Sequence, residues 1–197
     1  MSLQRPLHGV LFGHGRMGRI HAEKLRDRED VCLTVVDPPA GLDAVIPQGP
    51  DFAIVATPTH THAALATPML EQGIPCLVEK PLCADLQQAR ALSMYPHLSV
   101  GHVERFNPAL QPLGNCRPRF IQAERIGPFS NRSTDIDVIH DLMIHDIDLV
   151  LRFVPGTITD LRAIGIGVLS GQADIVNARL EIQGTDRELC VLCVHFR

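Results

Sequence analysis

The sequence predicts an α/β fold, a doubly wound parallel sheet over residues 1–118 followed by an α+β domain over 119–197. Three observations predict it. Short apolar runs alternate with helix-period segments through the first half. The first run ends in a turn of spaced glycines, and prolines at 108, 112 and 118 then interrupt any regular element before the pattern changes.

The first run, Val10-Leu11-Phe12, stops at Gly13, and Gly15 and Gly18 complete G-x-G-x-x-G ahead of a helical segment carrying Met17, Ile20 and Leu25. Gly13 permits the turn. Gly15 lets backbone N–H groups approach a pyrophosphate, Gly18 lets the helix pack closely, and the positive helix end favours phosphate. An ordinary strand-to-helix turn fits the same three glycines. The second run, Val31–Val36, ends at Asp37, where a dinucleotide site places a carboxylate on the adenosine ribose. Such a charge-assisted bond contributes about 1.5–3 kcal/mol and repels a 2′-phosphate, so NAD is expected over NADP. Alternatively, Asp37 simply starts the Asp37-Pro38-Pro39 turn.

A third run, Asp51 to Ala56, leads into Thr57-Pro58-Thr59-His60-Thr61-His62 and a helical stretch ending at Gln72-Gly73. Thr59 or Thr61 can cap that helix, and the loop can also touch a cofactor, because ligands of parallel sheets lie beyond the carboxyl ends of the strands. His62 fits either a structural or a functional role. The fourth run, Ile74 to Val78, delivers Glu79-Lys80-Pro81. There Lys80 is either a solvated loop lysine or a group that positions a reacting hydroxyl. Asp85 to Leu92 reads as a helix and Leu98 to Val103 as a strand.

In the second domain, Arg119 to Ile126 reads as a strand, and Ser133-Thr134 with Asp137 forms a capping box for a helix ending before Pro155. On a regular helix, Asp137, Asp141, His145 and Asp148 share one stripe. Such a stripe either faces water or lines a polar cleft. Asp141 and His145, four apart, can touch, which would orient the imidazole for proton exchange. His140 lies off the stripe and the donor set is poor for zinc, so no metal is expected.

Composition narrows the field. Twenty-two acidic against eighteen basic residues, with no long basic run, argue against nucleic acid and anionic membranes as partners. No apolar stretch has the length of a signal peptide core or a membrane span, so a cytoplasmic protein is expected. The six cysteines are scattered and mostly within apolar runs, as buried free thiols would be. Cys190-Val-Leu-Cys193 has metal or redox spacing, but it sits in an alternating segment that points the two thiols to opposite faces.

Taken together, G-x-G-x-M-G-x-x-H at Gly13 to His21, Asp37, Thr57-Pro58 with His62, Glu79-Lys80-Pro81 and Asp141-Leu-Met-Ile-His145-Asp146 resemble the Gfo/Idh/MocA family of sugar-type oxidoreductases. Val100 to Pro108 and Asp141 to Asp148 are most similar to its bacterial branch acting on UDP-N-acetylglucosamine. The resemblance implies a Rossmann domain that holds NAD through Gly13, Gly15, Arg16, Met17, Gly18, Asp37, Thr57, Pro58, His62, Glu79 and Lys80. It further implies hydride transfer between nicotinamide and a sugar carbon, with Lys80, His145 and Asp141 as catalytic groups and Arg105 and Asn107 as substrate contacts. A homo-oligomer formed through the second-domain sheet is also implied.

The same resemblance leads one to expect a sheet that continues well beyond Gly184. The apolar tail from Glu188 to Phe196 does not read as the family's next strand, so a truncated chain with an open sheet edge is expected. Two other functions fit the residues: a non-catalytic dinucleotide-binding or partner protein, and an oxidoreductase acting on a free sugar, an inositol or another carbonyl.

Overall fold

A strand of a parallel sheet is covered on both faces, so its centre must be apolar throughout. Val10 and Leu11 accordingly have no exposed surface. They lie in β1 (Leu7–Phe12) of the computed structural model, which describes residues 5–37, 49–114, 116–127, 136–184 and, for the backbone alone, 188–196. Beside β1 run β2 (Val31–Val36), β3 (Phe52–Val55), β4 (Cys76–Glu79) and β5 (Leu98–Gly101), all parallel, in the order β2-β1-β3-β4-β5. Among the described residues, three helices connect strands: α1 (Arg16–Arg26), α2 (His62–Glu71) and α3 (Leu86–Leu92). The winding reverses between β1 and β3, so the carboxyl ends of those strands flank the crevice where open α/β sheets hold ligands.

The core of this unit joins Val10, Phe12, Val55 and Val78 of the sheet to Leu65, Ala66, Met69 and Leu70 of α2. Leu92 of α3 closes one side. Asp85 caps α3, its side chain accepting the N–H of Gln88 at 2.9 Å. No threonine side chain caps α2. Thr61 Oγ1 instead donates back to the Pro58 carbonyl and pairs with the Thr57 hydroxyl, each at 2.7 Å, tightening a 3₁₀ turn ahead of the helix.

The chain divides between Gly101 and His102, earlier than the 118/119 break suggested by the prolines. Side chains from the intervening stretch bind into the second unit: Arg105 to Asp148, and Glu104 to Arg125. Pro108–Leu113 forms 3₁₀ turns within that unit.

The second unit is a four-stranded sheet in the order β6-β9-β8-β7, built from β6 (Phe120–Ile126), β7 (Gly156–Ile166), β8 (Ile175–Gly184) and β9 (Glu188–Phe196). One face is covered by a π-helical turn, Ile139–Met143, running into α4 (Ile144–Phe153). Val138, Met143, Val150 and Val154 pack there on Val176, Ala178, Leu180 and Ile182. A half-buried ion pair fixes the helix on the sheet: Arg125 of β6 donates to both oxygens of Asp146, which is 7% exposed. Asp174 seals the β7–β8 connection by accepting three main-chain N–H groups and the Ser170 hydroxyl. Those bonds hold its carboxyl well below the usual carboxylate range, with the Ser170 hydroxyl contributing most.

Several expectations need correcting. The tail from Glu188 to Phe196 does form a strand: β9 lies inside the sheet, parallel to β6 and antiparallel to β8, and β6 and β7 are the edge strands. Two thiols are exposed, Cys32 and Cys116, whereas Cys76 and Cys83 are buried. Burial pushes the Cys76 thiol up to about 11. The Ser133-Thr134 part of the capping box lies outside the described residues, but Asp137 does cap, accepting the His140 N–H at 2.9 Å. The Cys190 and Cys193 side chains also lie outside what is described.

Candidate functional site

The glycine loop is built as its spacing requires. Gly13 has φ +91°, and a Cβ there would lie 2.6 Å from the Ala56 carbonyl oxygen. A Cβ on Gly18 would lie 2.0 Å from the Gly13 carbonyl oxygen, so α1 sits against the loop only because that residue has no side chain. Gly15 is different. It is the N-cap residue of α1, it is exposed, and a Cβ on it would meet nothing within 4 Å. No side chain caps α1 and its first turn holds no acidic residue, which leaves a helix end suited to phosphate. Arg16 is exposed and Met17 half-buried at the start of the helix.

Asp37 follows β2 and accepts the His14 N–H at 2.8 Å. Its carboxylate therefore stands beside the glycine loop and holds it. Thr57 and Pro58 follow β3, across the point where the winding reverses. His62 is not open to a ligand: it is 1% exposed, with Nδ1 3.0 Å from the Pro81 carbonyl and Nε2 2.8 Å from the Thr57 carbonyl. It ties the Thr57 loop to the turn after β4, the structural one of the two roles its position in the sequence leaves open. Glu79 is likewise turned inward, 7% exposed with Oε1 2.7 Å from His21 Nε2 of α1. Gly101 makes room for that carboxylate, since a Cβ there would come within 2.9 Å of it. Lys80, half-buried, follows directly at the carboxyl end of the sheet, in a cis peptide with Pro81.

The second unit gathers a different set. His145, 9% exposed, lies in the first turn of α4. The His102 ring stands edge-on to it, with centroids 6.5 Å apart. Asp148 accepts a bidentate pair of bonds from Arg105, Nε at 2.7 Å, and lies 3.7 Å from His102 Nε2. Burial pushes the Asp148 carboxyl up, but Arg105, His102 and His145 outweigh it and bring it below the usual value. Asp141 falls in the π-helical turn, so the uniform spacing behind the expected stripe does not hold across it. Arg105 faces this cluster, whereas Asn107 is used internally: its amide donates to Glu104 and its oxygen accepts the Ala109 N–H. His102 is the residue the spacing argument misses. Its only signal is a histidine two residues ahead of the Glu104-Arg105 pair.

A carboxylate depressed in the folded state adds stability that is present above its unfolded value and lost as pH falls through the folded one. Acid should therefore weaken the second unit from about pH 4 downward. Asp148→Asn is expected to flatten that fall in thermal midpoints followed from pH 7 to pH 2; an unchanged profile would place the acid sensitivity elsewhere.

Among the described residues, no group of three histidines, cysteines or carboxylates is arranged to hold a metal ion, and no helix is long and apolar enough to cross a membrane.

Residues 20–95 match the profile of an oxidoreductase family, Gfo/Idh/MocA, described as having an NAD-binding Rossmann fold. The chain is 36% identical over 192 residues to a UDP-N-acetylglucosamine 3-dehydrogenase of Acidithiobacillus ferrooxidans, an alignment covering 85% of this chain and 61% of that protein. The chain thus spans about three-fifths of that curated relative's length. It is also 32% identical over 155 residues to the myo-inositol dehydrogenase Hyg17 of Streptomyces leeuwenhoekii, covering 68% of this chain and 45% of the relative. A solved structure of the Acidithiobacillus enzyme superposes with a TM-score of 0.84 at 33% identity, covering 98% of this chain and 68% of that one. Shared sequence and shared fold over that extent place the chain in the Gfo/Idh/MocA family of oxidoreductases.

Proposed function

We propose that the chain forms the dinucleotide-holding and proton-handling parts of an NAD-dependent oxidoreductase acting on a sugar hydroxyl. A nucleotide sugar of the UDP-N-acetylglucosamine kind is the favoured substrate class. The glycine loop carries the proposal, because Gly13 and Gly18 are required by the backbone around them while Gly15 opens onto empty space beside an uncapped helix end. NAD fits that cradle: the first-turn N–H groups of α1 would hold its phosphates and Asp37 its adenosine ribose.

Bound NAD supplies a hydride acceptor. The chain must then dispose of a proton, since hydride leaving carbon is matched by a proton leaving oxygen. Lys80 Nζ would orient the hydroxyl and stabilise the charge developing on its oxygen. His145 would accept the proton at a ring nitrogen, with Asp148 and Asp141 as the carboxylates on the same helical stretch. The exposed Phe120, Ile126, Ile164 and Ile166, on the sheet face away from α4, suit the homo-oligomer expected from the sequence.

The test is NADH formation, followed by absorbance, with a panel of nucleotide sugars, free sugars and inositols. Turnover of UDP-N-acetylglucosamine supports the proposal in full. Turnover of myo-inositol instead would favour the second substrate class, which the similarity to inositol dehydrogenases brings in. Dinucleotide binding without any turnover would leave a binding protein. Asp37→Ala is expected to weaken NAD about 10- to 100-fold, the worth of one charge-assisted bond, and to narrow the preference over NADP. Equal affinities of wild type and variant would remove Asp37 from the site.

A further inference from the structure

Within the second unit lies a cavity of about 920 Å³, walled by the 3₁₀ turns of Pro108–Leu113, by Gly114, Cys116, Arg117 and Pro118, and by the end of α4. Its volume is at the upper end of the roughly 300–1,000 Å³ typical of small-molecule sites. Among the described residues, three arginines line it, Arg105, Arg117 and Arg152, and no carboxylate does. The charge of Arg105 is met by Asp148. Among the described residues, neither Arg117 nor Arg152 has an ion pair. Arg152 spends one donor on the Arg105 carbonyl, at 3.1 Å, and a guanidinium has five N–H donors.

A concave surface carrying two unneutralised guanidinium groups selects a ligand with closely spaced negative charges, because the planar fork matches phosphate oxygens. The rest of the wall is not that of a simple anion site. Phe106 is 84% exposed there, in a chain with few aromatic residues, and Phe153 and Leu110 extend the apolar shelf. An exposed ring beside bound phosphates is a stacking platform for a base. Gln111 adds an amide able both to donate and to accept at a base edge.

We infer that this cavity binds the nucleoside diphosphate portion of the substrate, with Arg117 and Arg152 on the phosphates and Phe106 against the base. The inference rests on the nucleotide-sugar proposal above. Arg105 connects the two sites in one unit, since it lines the cavity and also grips Asp148, which neighbours His102. The cavity thus accounts for nucleotide selection by a group of residues separate from those that handle the proton.

The experiment is calorimetric titration of UDP into the full chain, with inorganic pyrophosphate, uridine and NADH in parallel cells. UDP is expected to bind more tightly than pyrophosphate or uridine. The double variant Arg117→Ala, Arg152→Ala should bind UDP at least about tenfold more weakly, the loss of one charge-assisted bond or more, while NADH affinity stays unchanged. Should the double variant fail to fold, the wild-type chain still decides. Cys116 lines the cavity and is exposed, so UDP should slow its alkylation by iodoacetamide without protecting the exposed Cys32.

No UDP binding in a chain that binds NADH, undiminished UDP binding by the variant, or unprotected Cys116 would overturn the inference. Pyrophosphate binding as tight as UDP would also overturn it, leaving an anion site only. A chain that binds UDP in this way but binds no dinucleotide would overturn the oxidoreductase proposal and leave the cavity's nucleotide specificity standing.

Discussion

Gly18→Ala is expected to lower stability by about 1–3 kcal/mol, as overpacking a close contact does, and to abolish measurable dinucleotide binding at millimolar NAD. The added Cβ would sit 2.0 Å from the Gly13 carbonyl oxygen, a backbone atom that cannot swing aside. Either α1 withdraws from the sheet or the loop loses its turn. Gly15→Ala is the informative contrast, because its Cβ would meet nothing within 4 Å of the protein. Its stability should stay within about 1 kcal/mol of wild type, the lost glycine freedom offsetting a poorer N-cap. Dinucleotide affinity should nevertheless drop, since the methyl group fills space reserved for phosphate. Urea midpoints and NAD titrations on both variants separate the two roles. Equal behaviour of the pair would show that the loop is only a turn.

Lys80→Met carries the second large effect. The variant keeps the length and apolar stem of the side chain, so the fold should hold. Turnover of the substrate identified from the panel should fall by roughly 10²- to 10⁴-fold, the usual contribution of a positioned proton-handling group. The decrease should appear in kcat rather than KM, because the group acts on charge that develops during the reaction. A kcat within a few fold of wild type would return Lys80 to the status of an ordinary loop lysine.

Local constraints were legible in the sequence, and long-range ones were not. Gly13, Gly15 and Gly18 act through their own backbone and the turn they form, so three residues sufficed to place a strand, a loop and a helix. Asp37 stands out because the end of a strand is visible in the apolar pattern. His62 and Glu79 stand out in the sequence, but their partners within the fold do not. The contact of Glu79 is His21, fifty-eight positions away, and no local pattern reports it.

The π-helical turn at Ile139–Met143 was equally hidden, because hydrophobic spacing was read at one fixed angle per residue. The long strand β7 escaped for a related reason. Its register slips between Ile158 and Asp160, which breaks the alternation that marks a strand, and nearly all of its residues are exposed. The tail strand β9 carries the expected apolar alternation, but its place between β6 and β8 depends on pairings set elsewhere in the chain.

The central claim is that the first unit holds a nicotinamide dinucleotide on the loop from Gly13 to Gly18, beside Asp37. Calorimetric titration of NAD and of NADP into the purified chain tests it most directly. One NAD should bind per chain, with NADP at least about tenfold weaker because the Asp37 carboxylate repels the 2′-phosphate. Absence of heat with both dinucleotides, in a chain shown to be folded by its thermal transition, would contradict it.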